Sequence, residues 1–175
     1  VKEWGFTYLK LDFLYAAALK GRYQDPTRTR AQVLRKGLEG LREAAGPQTT
    51  LLACGCPLGS ALGLFDAMRI SADVSGNWKP QFPPISLILK NEPHMPSAQN
   101  AIHNILTRAS LHRHWWINDP DCLLVRPDSQ LTLPEVQTLA TTISLTGGSL
   151  LLSDDLPALP PDRIELAQRL LPLIG

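Results

Sequence analysis

The chain reads as an α/β protein built on a parallel sheet, and three features of the sequence predict it. Five short apolar runs alternate with stretches of helical periodicity, the rhythm of strands joined by crossover helices. Polar and charged residues collect where those runs end, the side on which parallel α/β folds bind ligands. The 175 residues, 44% hydrophobic and 19% charged, supply one domain's core. Seventeen Lys and Arg against sixteen Asp and Glu leave a net charge of +1, without the basic stripe that a nucleic-acid partner favours. The longest unbroken apolar run, Phe13–Leu19, falls far short of the ~20 residues of a membrane helix. Three Cys without framework spacing argue against a disulfide-stapled secreted scaffold. No signal-peptide pattern opens the chain, so a cytoplasmic location is the expectation. The chain begins at Val1 and stops just after an amphipathic stretch, and is expected to be a piece of a longer protein.

Phe6–Phe13 (FTYLKLDF) predicts the first strand, with Tyr8, Lys10 and Asp12 on one face and Leu9, Leu11 and Phe13 on the other. Thr27 to Ala45 predicts a helix capped by Thr27 or Thr29, with Val33, Leu34, Leu38 and Leu41 at helical spacing and a stop at Gly46-Pro47. Thr49–Ala53 is a buried strand leading into Cys54-Gly55-Cys56-Pro57. Leu58–Phe65 reads as a short helix and Ala67–Ser71 as the third strand. Ser75 to Pro96, with five Pro, is an irregular loop broken by the apolar patch Leu87-Ile88-Leu89. Ser97–Arg113 predicts a helix with Ala101, Ile102, Ile105, Leu106 and Ala109 on its buried stripe. Trp115–Asn118 is a strand with its two Trp on opposite faces, and Asn118-Asp119-Pro120-Asp121 is a turn. Leu133-Pro134 opens a helix through Ser144, Leu150–Leu152 is the last strand, and Asp162–Leu171 the last helix. His112, Arg113 and His114 are read as cations at a helix C-terminus. Gly55, Gly59 and Gly63 lack the Lys-Ser/Thr of a phosphate loop and are read as close-packing positions.

The strand ends present Lys10 and Asp12; Cys54 through Pro57; Arg69 and Asp73; Asn118, Asp119 and Asp121; and Ser153, Asp154 and Asp155. Charges do not belong inside a parallel sheet unless they serve something or pair with one another. Two carboxylates from different strands, beside a Lys and an Arg, suit glycoside chemistry, in which one attacks the anomeric carbon and the other protonates the leaving oxygen. Lys10 would hold Asp12 ionised, and Arg69 would bind sugar hydroxyls and orient Asp73.

Taken in order, Trp4-Gly5-Phe6, Tyr8 through Phe13, Cys54-Gly55-Cys56-Pro57-Leu58, Asp66-Ala67-Met68-Arg69-Ile70 with Asp73, and Trp116 through Leu124 resemble the glycoside hydrolase family 36 α-galactosidases. These share a clan with family 27 α-galactosidases and family 31 α-glucosidases. The resemblance implies a (β/α)8 TIM barrel with the nucleophile on its fourth strand and the acid/base on its sixth. Asp12 then matches the nucleophile and Asp73 the acid/base. Lys10, Cys54 and Arg69 match sugar-contacting residues, with Asp121 and Trp78 as further candidates; Asp121 is read equally as a turn-former. The five strands become the fourth to the eighth of a single incomplete barrel domain over residues 1–175. The first three βα units, with an acidic pair and a Trp on their strands, and the flanking β domains are missing. A complete barrel takes about 250 residues. The implied activity is a retaining α-galactosidase on α-galactoside oligosaccharides, without metal or organic cofactor, with no nucleic-acid or membrane partner and with homo-oligomers common in the family.

Two rivals stay open. A barrel lysine at a strand end can form a Schiff base, which would make Lys10 the centre of a lyase. The chain is otherwise a sugar-binding relic or an inactive fragment, because an open edge on the first strand and bared lumen residues are aggregation hazards. Cys54 and Cys56 lack the four-ligand spacing of structural zinc.

Overall fold

The computed structural model describes residues 2–81 and 92–172; the predicted patch at Leu87-Ile88-Leu89 lies outside the described residues. The chain divides into two compact units, Val1–Arg69 with Arg113–Ile117, and Ile70–His112 with Asn118–Gly175.

In the first unit, β1 (Tyr8–Leu11) pairs in parallel with β2 (Thr50–Ala53), from Tyr8 opposite Thr50 to Leu11 opposite Ala53. β2 in turn pairs in parallel with β3 (Ala67–Arg69), Leu52 opposite Ala67 and Ala53 opposite Met68. β1 ends the sheet and alternates exposed with half-buried residues, whereas β2 and β3 are almost continuously buried, as internal parallel strands are. β1 is shorter than its apolar run: Phe13 turns left-handed at φ 54 and starts a 3-10 turn, Leu14–Ala18. Trp4, Phe6, Tyr8 and Phe13 are exposed.

α1 (Arg30–Ala45) begins on a capping box: the Gln32 N–H donates to Thr29 Oγ1, and the Gln32 side chain accepts from the Thr29 N–H at 2.8 Å. Gly46, at φ 77, ends it. Leu34 and Leu38 are buried, Val33 is half-buried, and Leu41 is exposed. Arg42 staples the end of this helix to the sheet. Its Nε donates to the Leu64 carbonyl (2.7 Å), Nη1 to that of Thr49 (2.8 Å) and Nη2 to Asp66 Oδ2 (2.6 Å). α2 is only Leu58–Ala61, because Leu62 leaves helical geometry and Gly63 takes φ 78. The close-packing reading of Gly59 and Gly63 does not hold: an added Cβ would meet nothing within 4 Å at either.

The second unit packs α3 (Ala98–Arg108), α4 (Leu133–Thr146) and α5 (Pro161–Gln168) around one apolar cluster that includes Ile105, Leu123, Val125, Leu139 and Ile143. α3 ends at Arg108 and continues as a 3-10 turn, Ala109–Leu111. Its stripe keeps Ala101, Ile102 and Ile105, but Asn104 is buried and Leu106 is exposed; the Asn104 amide N–H groups reach the Asn100 and Pro93 carbonyls, which satisfies its burial. The cation in the last turn of α3 is Arg108. His112 is used otherwise, its Nδ1 accepting the Asn118 N–H at 3.2 Å.

The predicted strand and turn at Trp115–Asp121 are rearranged. β4 is Ile117–Asp119, and a further strand, β5 (Cys122–Leu123), follows and pairs in parallel with β6 (Leu151–Leu152). Pro120 has no N–H to give and Asp121 is left-handed at φ 76, so the run breaks in two. The Ile117 N–H donates to the Asp66 carbonyl in the first unit, and the Ile70 N–H to the Asp119 carbonyl in the second. Trp115 is 46% exposed and Trp116 4%, their rings edge to face at 5.5 Å. Among the described residues no helix is long and apolar enough to cross a membrane.

Candidate active site

The first unit brings together four of the predicted residues. β1, β2 and β3 run parallel, so their carboxyl ends share one edge, and there stand Lys10 and Asp12, Cys54, and Arg69. Asp12 is exposed, Cys54 is 5% exposed and Arg69 7%. The Phe13 N–H donates to Asp12 Oδ1 at 2.7 Å, and the Cys54 thiol lies beside the Asp12 carboxylate. The carboxyl is held below its ordinary value of 3.8: the thiol contributes most, partial burial pushes the other way, and the Phe13 N–H, Lys10 and Arg69 add to the lowering. Lys10 thus acts in the direction expected of it, but behind the thiol and the Phe13 N–H.

The same contacts act on the thiol. Burial, then the neighbouring Asp12 carboxylate, push Cys54 up to about 12, and burial alone pushes Cys56 up to about 11. Neither is a thiolate at neutral pH. Among the described residues no group of three metal-ligating side chains converges. Gly55 carries φ 55, a left-handed backbone that glycine adopts without strain; a Cβ there would meet the Tyr15 ring at 3.4 Å and the Phe13 backbone at 3.5 Å, ordinary contact distances.

The second unit holds the other three. The Asp73 carbonyl accepts the Ser97 N–H at 3.1 Å, tying this position to the start of α3. The Trp78 carbonyl accepts the Gln99 N–H, and its ring packs against the apolar cluster of the unit. Asp121 is 9% exposed; one carboxylate oxygen accepts the Val74 N–H (2.9 Å) and the other its neighbour Cys122's N–H (2.8 Å). Its own N–H donates to Asp119 Oδ1 at 3.0 Å. The loop-forming side of its dual reading is therefore visible in its contacts. Asp154, grouped in the sequence with the polar strand ends, has a side chain with no exposure that binds the Val125 N–H (2.6 Å) and Arg126 Nη1 (3.1 Å).

Two features of the site escaped sequence reading. Phe13's left-handed backbone leaves no trace in residue type, since bulky residues rarely adopt it. The Cys54–Asp12 contact was latent in the pairing of Leu11 with Ala53, which makes the next two residues neighbours.

No family model matches the chain. Solved structures do. The α-galactosidase from Thermus thermophilus in complex with stachyose is 33% identical over 99% of this chain, with a TM-score of 0.81. The same enzyme in complex with p-nitrophenyl α-D-galactopyranoside is 33% identical over 97% of this chain, with a TM-score of 0.79. Of those two structures the chain spans 36% and 33% of the length. α-Galactosidase I from Mortierella vinacea, 18% identical over 97% of this chain and 43% of its own, with a TM-score of 0.68, shares the fold. The parallel strands, outer helices and strand-end polar residues thus define part of a (β/α)8 barrel. Within that class, the likeness matches the α-galactosidases of the clan to which glycoside hydrolase families 36 and 27 belong, the group to which the strand-end motifs also pointed.

Proposed function

We propose that this chain is one incomplete barrel domain of a retaining α-galactosidase, with Asp12 as nucleophile and Asp73 as general acid/base. The observation that carries this reading is the setting of Asp12: an exposed carboxylate past the end of a parallel strand, which accepts the Phe13 N–H and is kept ionised by its neighbours, the Cys54 thiol, Lys10 and Arg69 among them. A nucleophile must be deprotonated when the substrate arrives, and this one is.

In the proposed reaction Asp12 attacks C1 of a terminal α-galactosyl unit while Asp73 gives its proton to the departing oxygen. Asp73, now a carboxylate, takes a proton from water, which opens the glycosyl ester and releases galactose of α configuration. The two carboxyl groups of a retaining pair stand roughly 5–5.5 Å apart. Lys10, Cys54 and Arg69 are the proposed sugar contacts, with Trp78 and Asp121 as further candidates. The substrate class is the α-galactoside oligosaccharide, of which stachyose, bound by the Thermus enzyme, is an example. The segment alone is inactive, since a barrel of about 250 residues is needed to enclose the site. A Schiff-base lyase on Lys10 draws no support, because that lysine is exposed beside a carboxylate rather than enclosed in an apolar pocket.

The test is covalent trapping on the full-length protein. A 2-deoxy-2-fluoro galactosyl donor with a good leaving group should add one sugar mass to the peptide containing Asp12, and proton NMR should show α-galactose as first product. A label on another residue, or β-galactose as first product, would overturn the assignment.

A further inference from the structure

We infer that Asp121 is a positioning residue for Asp73: its carboxylate pins the backbone just after Asp73 and so sets where that side chain stands, without binding the sugar itself. The inference rests on Asp73 being the general acid/base. It takes the loop-forming side of Asp121's dual reading and gives that loop a task in catalysis.

The peptide unit that joins Asp73 to Val74 is held at both of its polar atoms. Its carbonyl, that of Asp73, accepts the Ser97 N–H at 3.1 Å. Its N–H, that of Val74, donates to Asp121 Oδ2 at 2.9 Å. A peptide unit is planar, so bonds on its two sides fix its rotation and with it the direction in which the chain leaves the Asp73 Cα. Just before Asp73 the same two segments are tied again. The Ile70 N–H donates to the Asp119 carbonyl at 3.0 Å, and Ser71 Oγ to the Pro120 carbonyl at 2.9 Å. Residues 71–80 form no helix or strand, so ties of this kind, not a regular ladder, decide where Asp73 is placed.

Asp121 is itself held firmly. It is left-handed at φ 76, a backbone that aspartate tolerates better than bulkier residues, and its N–H donates to Asp119 Oδ1 at 3.0 Å. Its Oδ1 accepts the Cys122 N–H at 2.8 Å, where β5 begins. One carboxylate thus links the Val74 N–H to the start of a strand. The link needs two acceptor oxygens, and an asparagine offers one. Being 9% exposed, Asp121 presents little surface to a ligand. A left-handed, buried, non-glycine residue is the kind of costly local geometry that persists where a site needs it. An acid displaced by about 1 Å can lose up to about a hundredfold in rate. That loss falls on substrates whose leaving group must be protonated and spares those whose leaving group departs unaided.

The experiment uses the full-length protein with Asp121→Ala, Asp121→Asn, Asp73→Ala and the double variant Asp73→Ala/Asp121→Ala. Each is assayed on stachyose and on an aryl α-galactoside whose phenol is acidic enough to leave without a proton. Asp121→Ala should lower kcat/KM for stachyose by about 10- to 100-fold and that for the aryl substrate by less than about threefold. Asp121→Asn, which keeps the volume and one acceptor, should fall between it and the wild type. Once Asp73 is gone, removing Asp121 as well should change neither rate further. An equal fall on both substrates, or a loss that adds to that of Asp73→Ala, would make Asp121 a sugar contact or a general prop and overturn the inference. A second readout needs no activity. Hydrogen exchange at the Val74 amide, taken relative to that of Ile105 inside α3, should quicken about tenfold or more in Asp121→Ala, and an unchanged ratio overturns the inference. A quickened Val74 amide beside an Asp73→Ala variant that treats the two substrates alike upholds the tether and defeats the acid/base assignment instead.

Discussion

Asp12 in the first unit and Asp154 in the second both stand just past a parallel strand, in opposite surroundings. Asp154 has no exposed side-chain surface, and its two oxygens are taken by the Val125 N–H and the Arg126 guanidinium; Asp121, nearly as buried, is likewise taken up by the backbone N–H groups of Val74 and Cys122. Asp12 also has donors, but it stays open to solvent with two cations close by. A carboxylate whose lone pairs are spent on the backbone holds a loop in place, while an exposed one with tuned charge is available for chemistry. Position at a strand end does not distinguish the two. Burial and hydrogen-bond partners do.

The comparison breaks if the two carboxylates respond alike to removal. In the full-length protein, Asp12→Ala should lower turnover of an aryl α-galactoside about 10⁴-fold or more. Its denaturation midpoint should change by no more than a surface substitution's about 0.5 kcal/mol. Asp154→Ala should do the reverse, costing about 3 kcal/mol in urea unfolding because it strands a buried backbone N–H and a partly buried guanidinium. Turnover measured on the fraction still folded should survive.

The first unit has its own structural carboxylate, which sharpens the contrast. Asp66 is pushed up by burial, but the Leu51 N–H and the Arg42 guanidinium override this and hold it below its ordinary 3.8. A depressed folded-state value means that its contribution to stability is present above 3.8 and is lost as the pH falls through and below that range. Arg42→Ala should cost about 2 kcal/mol near neutral pH and flatten the acid decline of stability in a pH series of thermal melts. The smallest effect belongs to Gly59 in α2, where an added Cβ meets nothing within 4 Å. Gly59→Ala should be neutral or stabilising by up to about 1 kcal/mol, and a clear loss in a thermal melt would show that this glycine serves something other than helix geometry.

Much of the fold was legible in residue order. The cap at Thr29, the Gly46 stop and the opening of α4 at Leu133-Pro134 follow from local chemistry, and the alternation of β1 follows from its pleat. Where sequence reading went astray, either a local backbone break or packing against other elements had won. The run at Trp115–Asp121 became two strands because a proline and a left-handed aspartate interrupt it. Leu106 and Asn104 exchanged places on α3 because the exposed and buried faces of that helix are set by what packs against it. The glycines after β2 looked alike in sequence, yet Gly55 and Gly63 take left-handed backbones and Gly59 does not.

The sequence by itself determined the parallel α/β class, the α-galactosidase-like motifs and the identity of the groups at the strand ends, because all of these are written in residue type and spacing. Only tertiary structure decided which of those groups are open and which are spent. The pairing of Leu11 with Ala53 sets the Cys54 thiol against Asp12, and the fold of the second unit closes over Asp154. Ionisation and availability depend on neighbours distant in the chain, and no local pattern records which neighbours those will be.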